Sequence, residues 1–335
     1  MLPNHPVPGA PSDNSTRSIA GRPGIESYFL RANHPTEPRA VWLKATILVP
    51  TSGPAVAEAW IAVFAPEGNH AVKATVPLEQ ATFAEEGGTT TIRVGACEFR
   101  LGPTGGAVQG TLGGHRWDLR YDGVAGLGGP LCVYPSRRMI DGGFPTSKLL
   151  TPVPVARFSG TVDRTSVVGW LGMQGHNWGK VYAVEYAWGQ CLFPGEDGAP
   201  FAMVEGFTGR VRIGPVVTPR LSALIVRRGE NEYRFDQVFS PWRQRAEVGD
   251  RRWSLGVSGP AGEARLTLEA DTAAIVCLGY VNPDGALSYC LNSKLARVRL
   301  RVNPTNEEGF ECASAHGGAL EFLRRTPDPS FPQAV

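Results

Sequence analysis

From Tyr28 onward the chain alternates apolar and polar positions in short runs, each closed by turn residues. The runs fall at 41–49, 55–65, 71–78, 89–101, 114–121 and 157–171. They resume at 180–192, 201–213, 220–228, 232–239, 251–258, 264–270, 274–281 and 287–302. Alternation with period two puts successive side chains on opposite faces of a strand. Reversals are supplied by Gly87-Gly88, Asp122-Gly123, Glu196-Asp197-Gly198, Gly229-Glu230-Asn231 and Pro283-Asp284-Gly285. The last lies between apolar runs at 275–281 and 287–291 and predicts a hairpin. The run 55–65 (AVAEAWIAVFA) fits either a strand or a short helix. Many short strands with few helical stretches predict an all-β sandwich or barrel.

Two weakly similar segments, GGHRWDLRY from Gly113 and GDRRWSLGV from Gly249, suggest two related all-β halves. Between them, residues 126–151 are rich in Gly, Pro and Ser and read as a long connection or covering excursion. The length of 335 residues suits two domains or one large β domain. With 41 Gly, 28 Pro and only 19% charged residues, the composition disfavours long surface helices. A net charge of +2 gives no electrostatic reason to expect a nucleic-acid partner. The longest apolar stretch, 273–281, is far shorter than the ~18 residues of a membrane span.

The first residues (MLPNHPVPGAPSDNSTRSIAGRPGI) lack an apolar signal region, and 1–24 read as a disordered leader of a cytoplasmic protein. In that compartment Cys97, Cys132, Cys191, Cys277, Cys290 and Cys312, which show no CxxC spacing, are expected to be reduced core thiols. The Asn14-Ser15-Thr16 sequon is then a chance match.

Familiar cofactor motifs are missing. Before Gly179-Lys180, Gln174 stands where a P-loop begins with Gly, and Val181 where it needs Ser or Thr. GLGGPL from Gly126 fails the dinucleotide pattern. No Gly-x-Ser-x-Gly elbow occurs, and the six histidines show no metal-ligand spacing. The expectation is chemistry with no cofactor and no metal.

The richest stretch is GMQGHNWGKVYAVEYAWGQ, residues 172–190. Read as one strand beyond the Gly175–Asn177 turn, it puts His176, Trp178, Lys180, Tyr182, Tyr186, Trp188 and Gln190 on one face. The other face is small, with Glu185 its only charge. Such an aromatic face with a few polar groups fits the lining of a pocket for a hydrophobic ligand. The same row would equally pack solid between two sheets, with His176 serving a turn. Glu185 and Glu205 are the acidic candidates, since a carboxylate in an apolar pocket can act as general acid; such a Glu is more often a solvated or salt-bridged strand residue. Asn292 and Lys294 share a face of what reads as an exposed strand.

The Gly-His-Asn-Trp-Gly stretch at 175–179, its aromatic strand, the opening YFLRANHP from Tyr28 and the Trp117 strand together resemble the tandem lipocalin-like superfamily. That superfamily includes carotenoid 1,2-hydratases (hydroxyneurosporene synthases), AttH-like proteins and, more distantly, tocopherol cyclases and natural-product Diels–Alderases. The similarity covers roughly residues 25–325 and implies two lipocalin-like β-barrel domains in tandem, here 25–175 and 176–330. It also implies a hydrophobic cavity near their junction, open to a terpenoid, polyketide or lipid. His176, Asn177 and Trp178 match position by position. In hydratase-like members an acidic residue is expected just ahead of the signature His, where this chain has Gln174-Gly175.

Two functions compete on this reading. One is a cofactor-independent enzyme that cyclises, isomerises or hydrates an isoprenoid or polyketide-type molecule. In it His176 and Glu185 handle protons, and Asn177, Trp178, Tyr182, Tyr186, Trp188, Gln190 and Glu205 bind the ligand. The other is a non-catalytic carrier, which needs the same aromatic cavity but no titratable group inside it. A third possibility is that the motif merely cements the two domains.

Overall fold

The computed structural model describes residues 12–17, 21–141, 147–213, 215–238 and 240–335. The first half opens with β1 (Gly24–Asn33), β2 (Ala40–Val49), β3 (Val56–Phe64) and β4 (His70–Pro77). There follow β5 (Thr82–Glu86), β6 (Thr89–Val94), β7 (Cys97–Leu101), β8 (Gly105–Leu112) and β9 (His115–Gly123). It ends with β10 (Leu131–Cys132), the long β11 (Ser147–Val162), β12 (Thr165–Ser166) and β13 (Trp170–Gly179). The second half contains β14 (Glu185–Pro194), β15 (Pro200–Arg210), a ribbon of β16 (Arg212–Ile213) and β17 (Val216–Val217), then β18 (Leu221–Arg228) and β19 (Asn231–Phe235). Next come β20 (Gln244–Val248), β21 (Arg252–Gly259), β22 (Gly262–Glu269), β23 (Val276–Val281), β24 (Leu287–Pro304) and β25 (Phe310–Arg324). The segment 55–65 is thus a strand. The 283–285 hairpin forms as expected, with Val281 opposite Leu287 and Gly285 in the left-handed region at φ 82°.

The two sheets repeat one plan. Across the first the order is β4-β3-β2-β1-β13-β11-β9-β8-β7-β6-β5, and across the second β19-β18-β15-β14-β25-β24-β22-β21-β20. In each, a four-strand meander is followed by a long return, and the last strand lies against the first. The long strands β11 and β24 both break register against their neighbours, at Val153 and at Ala296. Such bulges bend a strand and increase its twist, so each sheet curls into a half-barrel. The Trp117 and Trp253 segments are β9 and β21, which are not equivalent in this plan; the repeat is real but the sequence echo is one strand out of step.

Burial follows the same plan. Outer strands such as β9 alternate cleanly between buried and exposed residues. By contrast β1 and β2 are buried along almost their whole length. They are covered on both faces: one core, including Tyr28, Leu43 and Phe99, draws only on the first sheet, and another, including Trp253, Leu266 and Phe322, only on the second. Two further clusters mix residues of both sheets, one around Phe29, Trp42 and Trp188 and one around Leu171, Leu192 and Ile225. These form the layer that joins the halves.

The chain passes between sheets at 180–184, because β13 runs on to Gly179 in the first and the second begins at Glu185. The expected division at 175/176 falls inside β13. The excursion after β9 is tied to the second sheet: Arg227 donates to the carbonyls of Leu127 and Gly129, and Arg234 to those of Cys132 and Tyr134. Residues 142–146 of that excursion lie outside the described residues, as do 1–11 and 18–20 of the leader. Residues 12–17 are not a free leader. Asn14 and Ser15 are buried, and Asn14 Nδ2 donates to Gly102 O and Gln174 Oε1. The six cysteines are free. Among the described residues no helix is long and apolar enough to cross a membrane.

Candidate functional site

The one strand expected across 176–190 is in fact two strands and a crossover, so the predicted row divides. His176 lies on β13 opposite Tyr28, fully buried, and its ring stacks on Tyr28 with centroids 4.3 Å apart. Its Nε2 meets Glu26 Oε1 at 2.8 Å and its Nδ1 meets the Asp13 carbonyl at 2.7 Å. Glu26 also accepts from the Tyr28 hydroxyl at 2.7 Å and from the Arg17 backbone N–H at 2.9 Å. Burial alone would raise the Glu26 pKa; the hydrogen bonds and the neighbouring imidazole outweigh it and hold the carboxyl below its usual range. Arg17 lies 5.3 Å over the Trp178 ring. His176 therefore clasps residues 12–17 to the first sheet, and Gln174, where an acid was expected, holds Asn14 in the same clasp.

The remaining aromatic residues do converge. Between the halves lies a cavity of about 160 Å³, partly open to solvent and mainly apolar. Trp178 borders it from β13, Tyr182 from the crossover, and Tyr186 and Trp188 from β14, with Asn177 at the strand end. Phe29 and Trp42 close it from the first sheet and Tyr280 from β23. Gly175 makes room for this wall, since a Cβ there would sit 2.3 Å from the Phe29 ring. His176, Glu185, Gln190 and Glu205 do not border it.

Of those four, Glu185 is half-buried and bound to Arg220 at 3.1 Å. Gln190 is buried in the layer between sheets, bonded to Arg31 and donating to the Pro154 carbonyl at 2.9 Å. Glu205 is fully buried behind the wall, accepting from Thr151 Oγ1 at 2.9 Å and from the Trp188 indole N–H at 3.2 Å. Burial outweighs those bonds and the pull of Arg227 and Arg31, and pushes the Glu205 carboxyl up to about 7.

The cavity has its own titratable groups, which the sequence reading missed. Glu321 on β25 borders it and accepts from Lys294 Nζ at 2.6 Å, Asn292 Nδ2 at 3.0 Å and the Tyr186 hydroxyl at 3.4 Å. Lys294 and Asn292, expected on an exposed strand, are completely buried because β24 here is covered on both faces. Lys44 borders the cavity from β2, beneath the Tyr280 ring at 3.8 Å, and burial pushes its ammonium down to about 8. Lys148 borders it too, donating to the Met139 carbonyl at 2.6 Å. Burial raises the phenols of Tyr182, Tyr186 and Tyr280, so they remain hydrogen-bonding walls rather than phenolates. It also raises the thiols, Cys97 to about 11 and Cys191 to about 12, which leaves them poor nucleophiles. Among the described residues no group of three or more His, Cys, Asp and Glu is placed to hold a metal.

The sequence signal for Glu321 was present: one acid inside an otherwise apolar strand, GALEFL from Gly318. A lone charge flanked by apolar residues on both strand faces marks a strand with no solvent side.

No protein-family model matches the chain. Two uncharacterised Mycobacterium tuberculosis proteins, from strains CDC 1551 and ATCC 25618, are each 23% identical over 349 aligned positions, covering 98% of this chain and 97% of theirs. Among solved structures, an AttH candidate from Nitrosomonas europaea superposes with a TM-score of 0.57 at 12% identity, covering 96% of this chain and 99% of its own. Kievitone hydratase from Nectria haematococca superposes with a TM-score of 0.53 at 12% identity, covering 91% of each chain. The likeness extends over both halves, so the chain has the tandem lipocalin-like fold of AttH-like proteins and kievitone hydratase, as its His-Asn-Trp-Gly stretch suggested.

Proposed function

We propose that this protein is a hydratase-type enzyme acting on a hydrophobic small molecule held in the junction cavity. The carrying observation is a carboxylate, Glu321, on the wall of an aromatic cavity, ion-paired with buried Lys294 and bonded to Tyr186. A carrier needs the rings but no titratable group among them, so Glu321 and Lys44 favour the enzyme. The fold it shares with kievitone hydratase supports the same reaction class.

Hydration joins the oxygen of water to one alkene carbon and a hydrogen to the other. Glu321 would take the proton that the attacking water releases, with Tyr186 and Asn292 fixing the carboxylate, and the Lys44 ammonium would give the second carbon its proton, solvent exchange restoring both groups. Trp178, Tyr182 and Trp188 would hold the ligand against it, and positioning of this kind supplies several kcal/mol or more of a barrier. His176 and Glu185 have no part in this scheme. His176 positions the clasp, and Glu185 lies outside the cavity wall with Arg220.

The test is turnover of a panel of terpenoid and phenolic alkenes in heavy-oxygen water, read by mass spectrometry. Wild type should incorporate the label into one class of substrate. Glu321→Gln, and the Glu321→Gln/Lys294→Met pair that avoids a stranded ammonium, should bind that substrate and lose turnover by about a hundredfold or more, the usual worth of a general base. Turnover that survives both variants would sink the assignment.

A further inference from the structure

Among the described residues, Lys44 is a cation on the cavity wall with no hydrogen-bonded or ion-paired partner. It is 3% exposed, yet it borders the cavity. The carboxylates whose charge acts on it are bonded to other cations: Glu58 faces Lys73 at 3.8 Å, and Glu321 holds Lys294 at 2.6 Å. Among the described residues Lys44 Nζ meets no hydrogen-bond acceptor. It is surrounded by rings instead, with Tyr280 at 3.8 Å, Trp60 at 5.5 Å, and Trp42 and Tyr182 at 5.9 Å from the centroids. Ring faces stabilise a cation, but an ammonium has three N–H donors and rings accept them poorly. The indole N–H of neighbouring Trp42 is also buried without an acceptor. An ammonium whose donors meet no acceptor among the described residues, at the wall of an apolar hollow, calls for a ligand oxygen.

We infer that Lys44 binds the carbonyl oxygen of the substrate, and that the alkene to be hydrated is conjugated to that carbonyl. The inference rests on the hydratase reading of the same cavity and specifies its substrate class. An isolated alkene must first be protonated to a carbocation, which takes a far stronger acid than a lysine ammonium. A conjugated alkene needs no such step. With the ammonium drawing electron density onto the carbonyl oxygen, water adds to the β-carbon: a C–O bond forms, the C=C pair moves to the oxygen as an enolate, and Glu321 receives the proton. The enolate then takes a proton at the α-carbon from Lys44, and the proton on Glu321 passes through solvent to restore the ammonium. Net, one water is added and nothing is oxidised or reduced. A lysine held at about 8 delivers that proton more readily than an ordinary one. The size agrees: a cavity of about 150 Å³ holds a benzene ring, so this one takes a ring-bearing enone fragment and not a long isoprenoid chain enclosed whole.

The probes are benzylideneacetone, a phenyl enone, and 1-phenyl-1-butene, which has a similar frame without the carbonyl. Binding is followed by quenching of tryptophan fluorescence, and the carbonyl contact by the shift of the enone absorption to longer wavelength. Wild type should bind the enone about tenfold or more tighter than the hydrocarbon, the usual worth of a hydrogen bond to a charged donor, and should shift its band. Lys44→Met should abolish both the preference and the shift while still binding the hydrocarbon. Removing an unpaired buried charge should not unfold the protein, and a urea midpoint at or above wild type checks this; Lys44→Gln is the second variant. Equal binding of the two probes by wild type, or a preference that survives Lys44→Met, overturns the inference. If neither probe binds, the cavity reading fails and takes the inference with it. If the enone binds with its shift but no labelled water is added, Lys44 is the anchor and the hydratase reading alone fails.

Discussion

The interior of the first half-barrel is filled by Leu30, Leu43, Ile61, Phe99 and Leu119, that of the second by Leu224, Trp253, Leu266 and Leu300. The layer between them holds Arg31, Lys44, Gln190, Glu205, Lys294 and Glu321, all buried. Lipocalin-like barrels are known for ligands held in the lumen, but the aromatic cavity here is lined from both sheets, where one faces the other. Two convex faces cannot be matched everywhere, and the mismatch leaves room for charge. Ionisable groups collect where neither half needs its own core intact, which lets chemistry vary without unfolding a barrel.

The contrast can be broken most forcefully at Glu321. Glu321→Gln should cost about 3–5 kcal/mol in urea unfolding, because it leaves the Lys294 ammonium buried without its partner. Adding Lys294→Met should return most of that. A single variant costing under ~1 kcal/mol would mean that these charges are effectively solvated and that the layer differs little from surface.

Glu205 sharpens the contrast through pH. Its native carboxyl titrates near 7, against about 4.3 in an unfolded chain. Between those values the native state holds a proton that the unfolded state has released, so stability falls as pH rises through that window and levels off above it. Glu205→Gln should flatten the slope and be more stable than wild type by about 3–4 kcal/mol at pH 8. Wild-type and Glu205→Gln profiles that run parallel between pH 5 and 7 would exclude a raised native pKa. The smallest effect is expected at Glu185, whose bond to Arg220 lies near the surface. Glu185→Gln should change stability by no more than about 0.5 kcal/mol and leave turnover intact; a large loss of turnover would reinstate it as a site residue.

What the sequence disclosed follows from the same contrast. Strands with one wet face, such as β9 and β22, alternate visibly and were legible. Strands of the joining layer are dry on both faces, so Lys294 and Asn292 carried the pattern of an exposed strand while lying completely buried. Trp178, Tyr182, Tyr186 and Trp188 were found as a group because the crossover happens to preserve their spacing. The parity that grouped them was wrong, since 180–184 is not strand; the Gly179 that ends β13 was the available sign of a break. Residues 12–17 read as a leader because their composition is polar. The Asn14 side chain is spent on Gln174 and Gly102, and its backbone carbonyl accepts from Thr90, partners a single sequence cannot reveal.

The clasp at His176 also has a consequence for biosynthesis. Its partners Glu26 and Asp13 precede it by 150 and 163 positions, and β1 has no neighbour on one side until β13 has been made. Contacts of such long range slow folding. While the ribosome is still adding the intervening residues, β1 is an open edge able to pair with a foreign strand. A fragment ending before Trp170 should therefore aggregate, whereas one reaching past Gly179 has every strand the first half-barrel needs.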